Sequence, residues 1–277
     1  MPSDKRQRQD EGRLLRLEAE RATASRSQRS RQLRTVGLLV GAVLLVALAV
    51  SLLSKDDASD VATDGTTTTL AEGAAVSIPI PPAGASITGA TPCPAADGSA
   101  DRTTSFEKAP PVCIDAAKTY TALLKTSEGD ITIALDATAA PIAVNNFVVL
   151  ARYHFYDGVA FHRIVPGFVN QTGDPVGPTP GGGSPGYTIE DENPVDPLTA
   201  YVPGSVAMAR TGDVNSAGSQ FFLVIGDPNA ALSGAGTYAV FGQIATGQEV
   251  SAAINALAVG EAPTKVVTID SVEITES

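Results

Sequence analysis

Two stretches of this chain carry residue types at spacings that could do chemistry. Residues 161–174 read FHRIVPGFVNQTGD, and residues 215–227 read NSAGSQFFLVIGD. Together they supply one arginine (Arg163), two glutamines (Gln171, Gln220) and the phenylalanines Phe168 and Phe222. One permanent charge with a rigid planar fork of donors, two neutral amides and an apolar floor suit a site that grips a peptide bond. Nothing in that set requires a proton transfer. His162 invites a general-base reading, but no Ser, Cys or acid nucleophile is placed beside it by motif, and it is read as structural. Asp191 and Glu192 are read as orienting a loop. The run Gly181-Gly182-Gly183 lacks the strand–loop–helix context and the following Lys of a phosphate loop, so it is read as a turn.

These residues fall in segments patterned as strands. Residues 120–125 and 131–135 alternate apolar and polar and are joined by a turn at Ser127-Glu128-Gly129-Asp130. Further strands are expected over 159–164, 168–171, 204–209, 220–225, 238–244 and 265–275. Residues 141–152 predict a helix with Pro141 in its first turn and Ile142, Val144, Phe147, Val148 and Ala151 on its core face. A second helix is expected over 248–256. Many short strands with two helices predict a mainly β fold, a closed antiparallel barrel capped at its ends.

The 277 residues are unevenly charged. Residues 1–35 hold ten of the nineteen basic residues and five of the thirty acidic ones, about +5. The remainder, with nine basic and twenty-five acidic residues, carries about −16. Such a body repels phosphate backbones, which argues against nucleic-acid binding. Residues 36–53 (VGLLVGAVLLVALAVSLL) contain no charge and approach the roughly 20 residues of a membrane-crossing helix. With Arg31 and Arg34 before it, this segment predicts a single-pass anchor, its N-terminus cytoplasmic and its C-terminal body extracytoplasmic. The rival reading is a cleaved signal peptide with Ala47-Leu48-Ala49 at the cleavage site, but that tripeptide lies inside the apolar run.

The chain divides into a basic tail (1–35), a transmembrane helix (36–53), a Thr/Ala/Gly/Ser/Pro-rich linker (54–90), a lead-in (91–118) and a folded domain (119–277). Cys93 and Cys113, the only cysteines, both fall on the expected outside, where an even count favours a disulfide over two thiols. No third or fourth ligand near them suits zinc, and no metal or cofactor is expected.

Residues 119–277 resemble a cyclophilin-type peptidyl-prolyl cis-trans isomerase. The resemblance rests on FYDGVAFHRIVPGFVNQTGD (155–174), DEN (191–193), GSVAMAR (204–210), SAGSQFFLVIGD (216–227) and YAVFGQI (238–244), in family order and spacing. It implies an eight-stranded barrel closed by two helices, with the active site on an outer face. By position, Arg163 matches the catalytic arginine. Phe168 and Phe222 match the floor of a proline pocket, and Leu232 matches another wall residue. Gln171 and Gln220 match amides around the substrate backbone, with Gln171 also placed to orient Arg163. Ala209 and Arg210 fall where the family binds backbone beside the reacting bond. Val169 stands where methionine is usual, Tyr238 for histidine, Arg210 for asparagine and Thr172 for glycine. No tryptophan is present, with Ala231 in its place, so tight cyclosporin binding is not expected. The resemblance implies isomerase activity on proline-containing polypeptides, assisting the folding of exported or cell-envelope proteins. The altered Arg210 and Tyr238 motivate a rival of another class, a module that holds Pro-containing segments with little turnover.

Overall fold

The computed structural model describes residues 76–175, 181–192, 200–226, 232 and 238–277. The expected anchor over 36–53 lies outside these residues. Among the described residues no helix is long and apolar enough to cross a membrane.

Nine strands form one antiparallel sheet. In chain order these are β3 (Tyr120–Thr126), β4 (Gly129–Leu135), β5 (Val159–Ala160), β6 (Arg163–Val165), β7 (Val169–Thr172), β8 (Ser205–Met208), β9 (Phe221–Val224), β10 (Val240–Thr246) and β13 (Thr268–Glu276). Their spatial order is β5-β13-β3-β4-β10-β8-β9-β7-β6. The two ends of that order, β5 and β6, are consecutive in the chain, separated only by Phe161 and His162, so the sheet must curl. The one strand expected over 159–164 is therefore two. Val159 and Ala160 pair with β13, while Arg163 pairs with β7. This split raises the count from the expected eight strands to nine, and no ladder joins the two edges among the described residues.

Alternation dictates the packing. Along β3 the residues Tyr120, Ala122, Leu124 and Thr126 are buried and those between are half-exposed. β4 repeats this with Ile131, Ile133 and Leu135. These side chains meet helix α1 (Pro141–Arg152), ten of whose twelve residues are buried. Ile142, expected on the core face, instead stands 38% exposed at the helix start. α1 has no side-chain cap of its own; Glu192 supplies one from afar, accepting from Ile142 N at 2.8 Å and Ala143 N at 2.7 Å. Helix α2 (Gln248–Asn255) starts from Gly247 at φ +86°, where a Cβ would lie 2.3 Å from the Asp130 carbonyl.

The N-terminal lead-in belongs to the same folded body. Strand β1 (Ala85–Ile87), within the stretch read as linker, pairs in parallel with β2 (Thr103–Phe106). Phe106 is buried edge-on against Tyr153 at 5.4 Å, and Tyr153 Oη donates to the Pro92 carbonyl at 2.9 Å. Cys93 and Cys113 form a disulfide. Cys113 N donates to Asn145 Oδ1 on α1 at 2.7 Å, which ties the closed loop to the helix.

Candidate active site

Strands expose alternate residues on opposite faces, and this places the site. On β9, Phe221 and Leu223 enter the main core with Phe147 and Phe241. Phe222 and Val224 turn the other way, into a second cluster with Val169, Ala207, Tyr201 and Leu232. Directly paired residues of neighbouring strands share a face. The ladders give Arg163↔Gln171, Gln171↔Phe222 and Phe222↔Ala207, one row running over β6, β7, β9 and β8. The arginine, an amide and an aromatic floor are thereby brought to one outer surface from sequence positions up to 59 apart.

That surface holds a cavity of about 290 Å³ lined by Arg163, Phe168, Val169, Gln171, Ala209, Arg210, Phe222, Leu232 and Tyr238. Every candidate site residue except Gln220 borders it. Gln220 borders a neighbouring cavity of about 370 Å³, which shares Gln171, Ala209 and Arg210 with the first. The floor is buried: Val169, Phe222 and Leu232 are at most 5% exposed, whereas Phe168 is half-buried at the rim. Phe168 is presented by a tight turn in which its N–H donates to the Val165 carbonyl at 3.0 Å. Pro166 and Gly167, the latter at φ +67°, sit between them.

The polar groups are held individually. Arg163 Nε donates to Glu261 Oε2 at 2.8 Å. Gln171 Nε2 donates to Gln220 Oε1 at 3.0 Å, so Gln171 is engaged by the other amide and not by Arg163. Gln220 Nε2 in turn donates to the carbonyls of Gly181 at 2.9 Å and Gly183 at 3.0 Å. The glycine run is thus a turn that cradles a site amide. The Arg210 guanidinium lies 5.5 Å from the Tyr238 ring centroid and donates through Nη1 to the carbonyls of Thr211 and Asp213 at 3.1 Å. Tyr238 meets Phe222 edge-on at 5.4 Å. Its backbone is clamped by Tyr201, whose hydroxyl accepts from Tyr238 N at 2.8 Å and donates to Tyr238 O at 3.2 Å.

His162 does not face the pocket with a partner nucleophile. Both ring nitrogens are buried, and burial lowers its pKa against the opposing pulls of Asp174 and Gln220. Asp191 exchanges hydrogen bonds with Asn215, accepting from its N–H at 3.0 Å while Asn215 Oδ1 accepts from Asp191 N at 2.9 Å. Both carboxylates of the expected loop-orienting pair therefore act on backbone N–H groups. Sequence reasoning missed Glu261 and Tyr201; neither lies in a motif that announces its partner.

A family model described as cyclophilin type peptidyl-prolyl cis-trans isomerase/CLD matches residues 121–274. A peptidyl-prolyl cis-trans isomerase of Helicobacter pylori is 41% identical over 138 residues, 50% of this chain and 80% of the relative. Peptidyl-prolyl cis-trans isomerase B of Bacillus subtilis is 47% identical over 111 residues, 40% of this chain and 73% of the relative. A crystal structure of a cyclophilin type peptidyl-prolyl cis-trans isomerase from Cryptosporidium parvum is 28% identical with a TM-score of 0.51, covering 57% of this chain and 99% of that one. The same protein in the presence of the dipeptide Ala-Pro matches equally, at 27% identity.

Proposed function

The chain belongs to the cyclophilin-type peptidyl-prolyl cis-trans isomerase family and is an isomerase of X–Pro peptide bonds; from that premise we propose that the cavity bounded by Arg163 and Phe222 is its active site. The observation that carries this reading is the shared pocket: the Arg163 guanidinium stands with Arg210 at the edge of an apolar floor, in a cavity of about 290 Å³ that has room for a prolyl ring.

A peptide bond resists rotation because the nitrogen lone pair is delocalised into the carbonyl, a barrier of about 18–20 kcal/mol. The cis and trans forms of X–Pro differ little in energy, so a catalyst need only weaken that resonance in the twisted state. Phe168, Phe222, Val169 and Leu232 hold the ring. Arg163 donates toward the prolyl nitrogen, which becomes pyramidal and basic only as the bond twists. The interaction is therefore stronger in the transition state than in the ground state, the condition for raising kcat. Gln171, Gln220, Ala209 and Arg210 receive the flanking backbone, and Tyr238 closes the apolar wall while its hydroxyl end stays polar. No proton is transferred in this scheme.

The N-terminus supports a location. Residues 36–53 form an uncleaved membrane anchor in this reading, with the isomerase domain outside, where it assists exported or cell-envelope proteins. The uncharged run, its basic flank and a disulfide suited to an oxidising compartment support it. Closure of the curled sheet into a barrel belongs to the same proposal, supported by the two-residue gap between its edge strands.

The deciding experiment is NMR exchange on a tetrapeptide with one X–Pro bond, using the purified chain beside Arg163→Ala and Phe168→Ala. Fast exchange in the parent that collapses in Arg163→Ala supports the site. Undiminished exchange in both variants places the catalyst elsewhere. Protease accessibility of the domain on intact cells tests its location.

A further inference from the structure

Arg163 sits on β6, an edge strand of only three residues, with β7 on one side. Its other side is covered by a small hairpin of β11 (Ala258–Val259) and β12 (Ala262–Pro263), whose two-residue tip is Gly260-Glu261. Gly260 has φ +65°, the left-handed geometry such a tight tip needs. Glu261 holds two consecutive residues of β6 at once. Its carbonyl accepts from Ile164 N at 3.3 Å, and its carboxylate accepts from Arg163 Nε at 2.8 Å. The helix leading into the hairpin adds support: Asn255 Oδ1 accepts from Gly167 N at 2.7 Å, and Asn255 Nδ2 donates to Val165 O at 2.9 Å.

We propose that Glu261 is the positioning residue for the isomerase's arginine, fixing the plane of the Arg163 guanidinium so that its terminal Nη groups face the bound X–Pro segment. This rests on Arg163 being the catalytic donor, as argued above. A guanidinium has five N–H donors in one plane, and engaging the single Nε–H leaves the four Nη protons. Among the described residues none of those four has a hydrogen-bond acceptor, so the Nε contact is the one polar restraint on the side chain. Without it, rotation about the long side chain spreads the donors over many orientations, and poor aim costs rate more than binding. The carboxylate serves a second purpose. Arg163 and Arg210 line the same cavity, and a charge-assisted pair offsets part of their mutual repulsion. The pair is too exposed to contribute much to stability, with side chains 36% and 63% accessible, so its effect falls on geometry.

The test compares Glu261→Ala and Glu261→Gln with the parent in the full chain. It measures kcat and KM by NMR exchange, Tm, and the Arg163 Nε–Hε signal, assigned through Arg163→Lys. Positioning predicts a loss of roughly three- to tenfold in kcat for Glu261→Ala, with KM within about twofold. It also predicts displacement or broadening of the Nε–Hε signal, and partial recovery of both readouts in Glu261→Gln, which keeps an acceptor. An unchanged or increased kcat in Glu261→Ala overturns the proposal. So does a fall in kcat with an unmoved Nε–Hε signal and a lowered Tm, which is the mark of a damaged hairpin. Arg163→Ala is the separate control: if it retains activity, the catalytic reading of Arg163 fails, whereas loss there with an indifferent Glu261→Ala sinks only the positioning role.

Discussion

Gln171 and Gln220 are joined amide to amide at 3.0 Å, so the site's two glutamines form one unit and leave Arg163 to another partner. Gln220 is itself anchored on the Gly181 and Gly183 carbonyls, and its Oε1 is thereby fixed as the acceptor for Gln171. The chain of bonds passes from a loop, through Gln220, to the residue that faces the pocket. Gln220→Ala should therefore act through Gln171 and lower kcat/KM several-fold, roughly the worth of one neutral hydrogen bond of about 1 kcal/mol. Gln171→Ala and the double variant should lose about the same. A double variant whose loss is the product of two independent ones would show that the amides work separately.

Arg163→Lys keeps the charge but loses the planar fork, and its ammonium cannot both meet Glu261 at the Nε position and reach the prolyl nitrogen. The expected result is a kcat/KM about 10²-fold below the parent, close to that of Arg163→Ala, as for removal of a preorganised donor. Near-parent activity in the lysine variant would mean that charge alone suffices.

Phe168 and Phe222 should separate binding from stability. Phe222 is 4% exposed and packs on Val169, Ala207, Leu232 and Tyr238. Phe222→Ala should cost about 3–5 kcal/mol of folding free energy as well as activity. Phe168 stands at the rim, so Phe168→Ala should weaken the grip on the prolyl ring while shifting the urea midpoint much less. Equal destabilisation by the two changes would contradict the rim placement.

The legible part of this molecule is the part written in short-range pattern. Alternation along residues 120–125 and 131–135 places Leu124 and Ile133 inward without any model of the partner strands. The same rule separates Phe221 from Phe222. The motif resemblance then assigns Arg163, Phe222 and their neighbours to one face, and the structure brings them to one cavity. What escapes is long-range and local-signal-free. Glu261 is 98 residues from Arg163 and stands in a hairpin of two-residue strands, too short to show a period. The break at Phe161-His162 escapes for a related reason: residues 159–164 hold no Gly, Pro or other turn signal and read as one strand, although the two halves pair at opposite ends of the sheet. β1 lies in Pro- and Gly-rich sequence whose composition reads as linker.

The disulfide should matter for stability and not for turnover. Neither cysteine borders the active-site cavity, and the bond closes a loop of 20 residues tied to α1 through Asn145. Reduction should remove about 3 kcal/mol, lowering Tm by roughly 5–10 °C with kcat/KM unchanged at 25 °C. Scanning fluorimetry with and without reductant, beside Cys93→Ser/Cys113→Ser, checks this. Loss of turnover on reduction at a temperature where the protein stays folded would tie the lead-in to the site.

Acid should reveal one ion-pair cluster at the end of the last strand. Glu276 accepts from Arg152 Nη2 at 2.8 Å and from Lys118 Nζ at 2.9 Å, and these bonds lower its pKa from 4.5 to about 2. Arg152 is 6% exposed, so the buried guanidinium needs this counter-charge more than the exposed Lys118 does. A carboxyl with a depressed folded pKa stabilises the fold fully above its unfolded pKa and ceases to do so as pH falls through the folded value. The stability gap between the parent and Glu276→Gln should therefore be constant above about pH 5 and close between about pH 4.5 and pH 2. Urea midpoints measured across that range for both proteins read the gap directly, since carboxylates common to the two cancel. A gap that stays constant down to pH 2 would mean the pair does not hold Glu276 ionised.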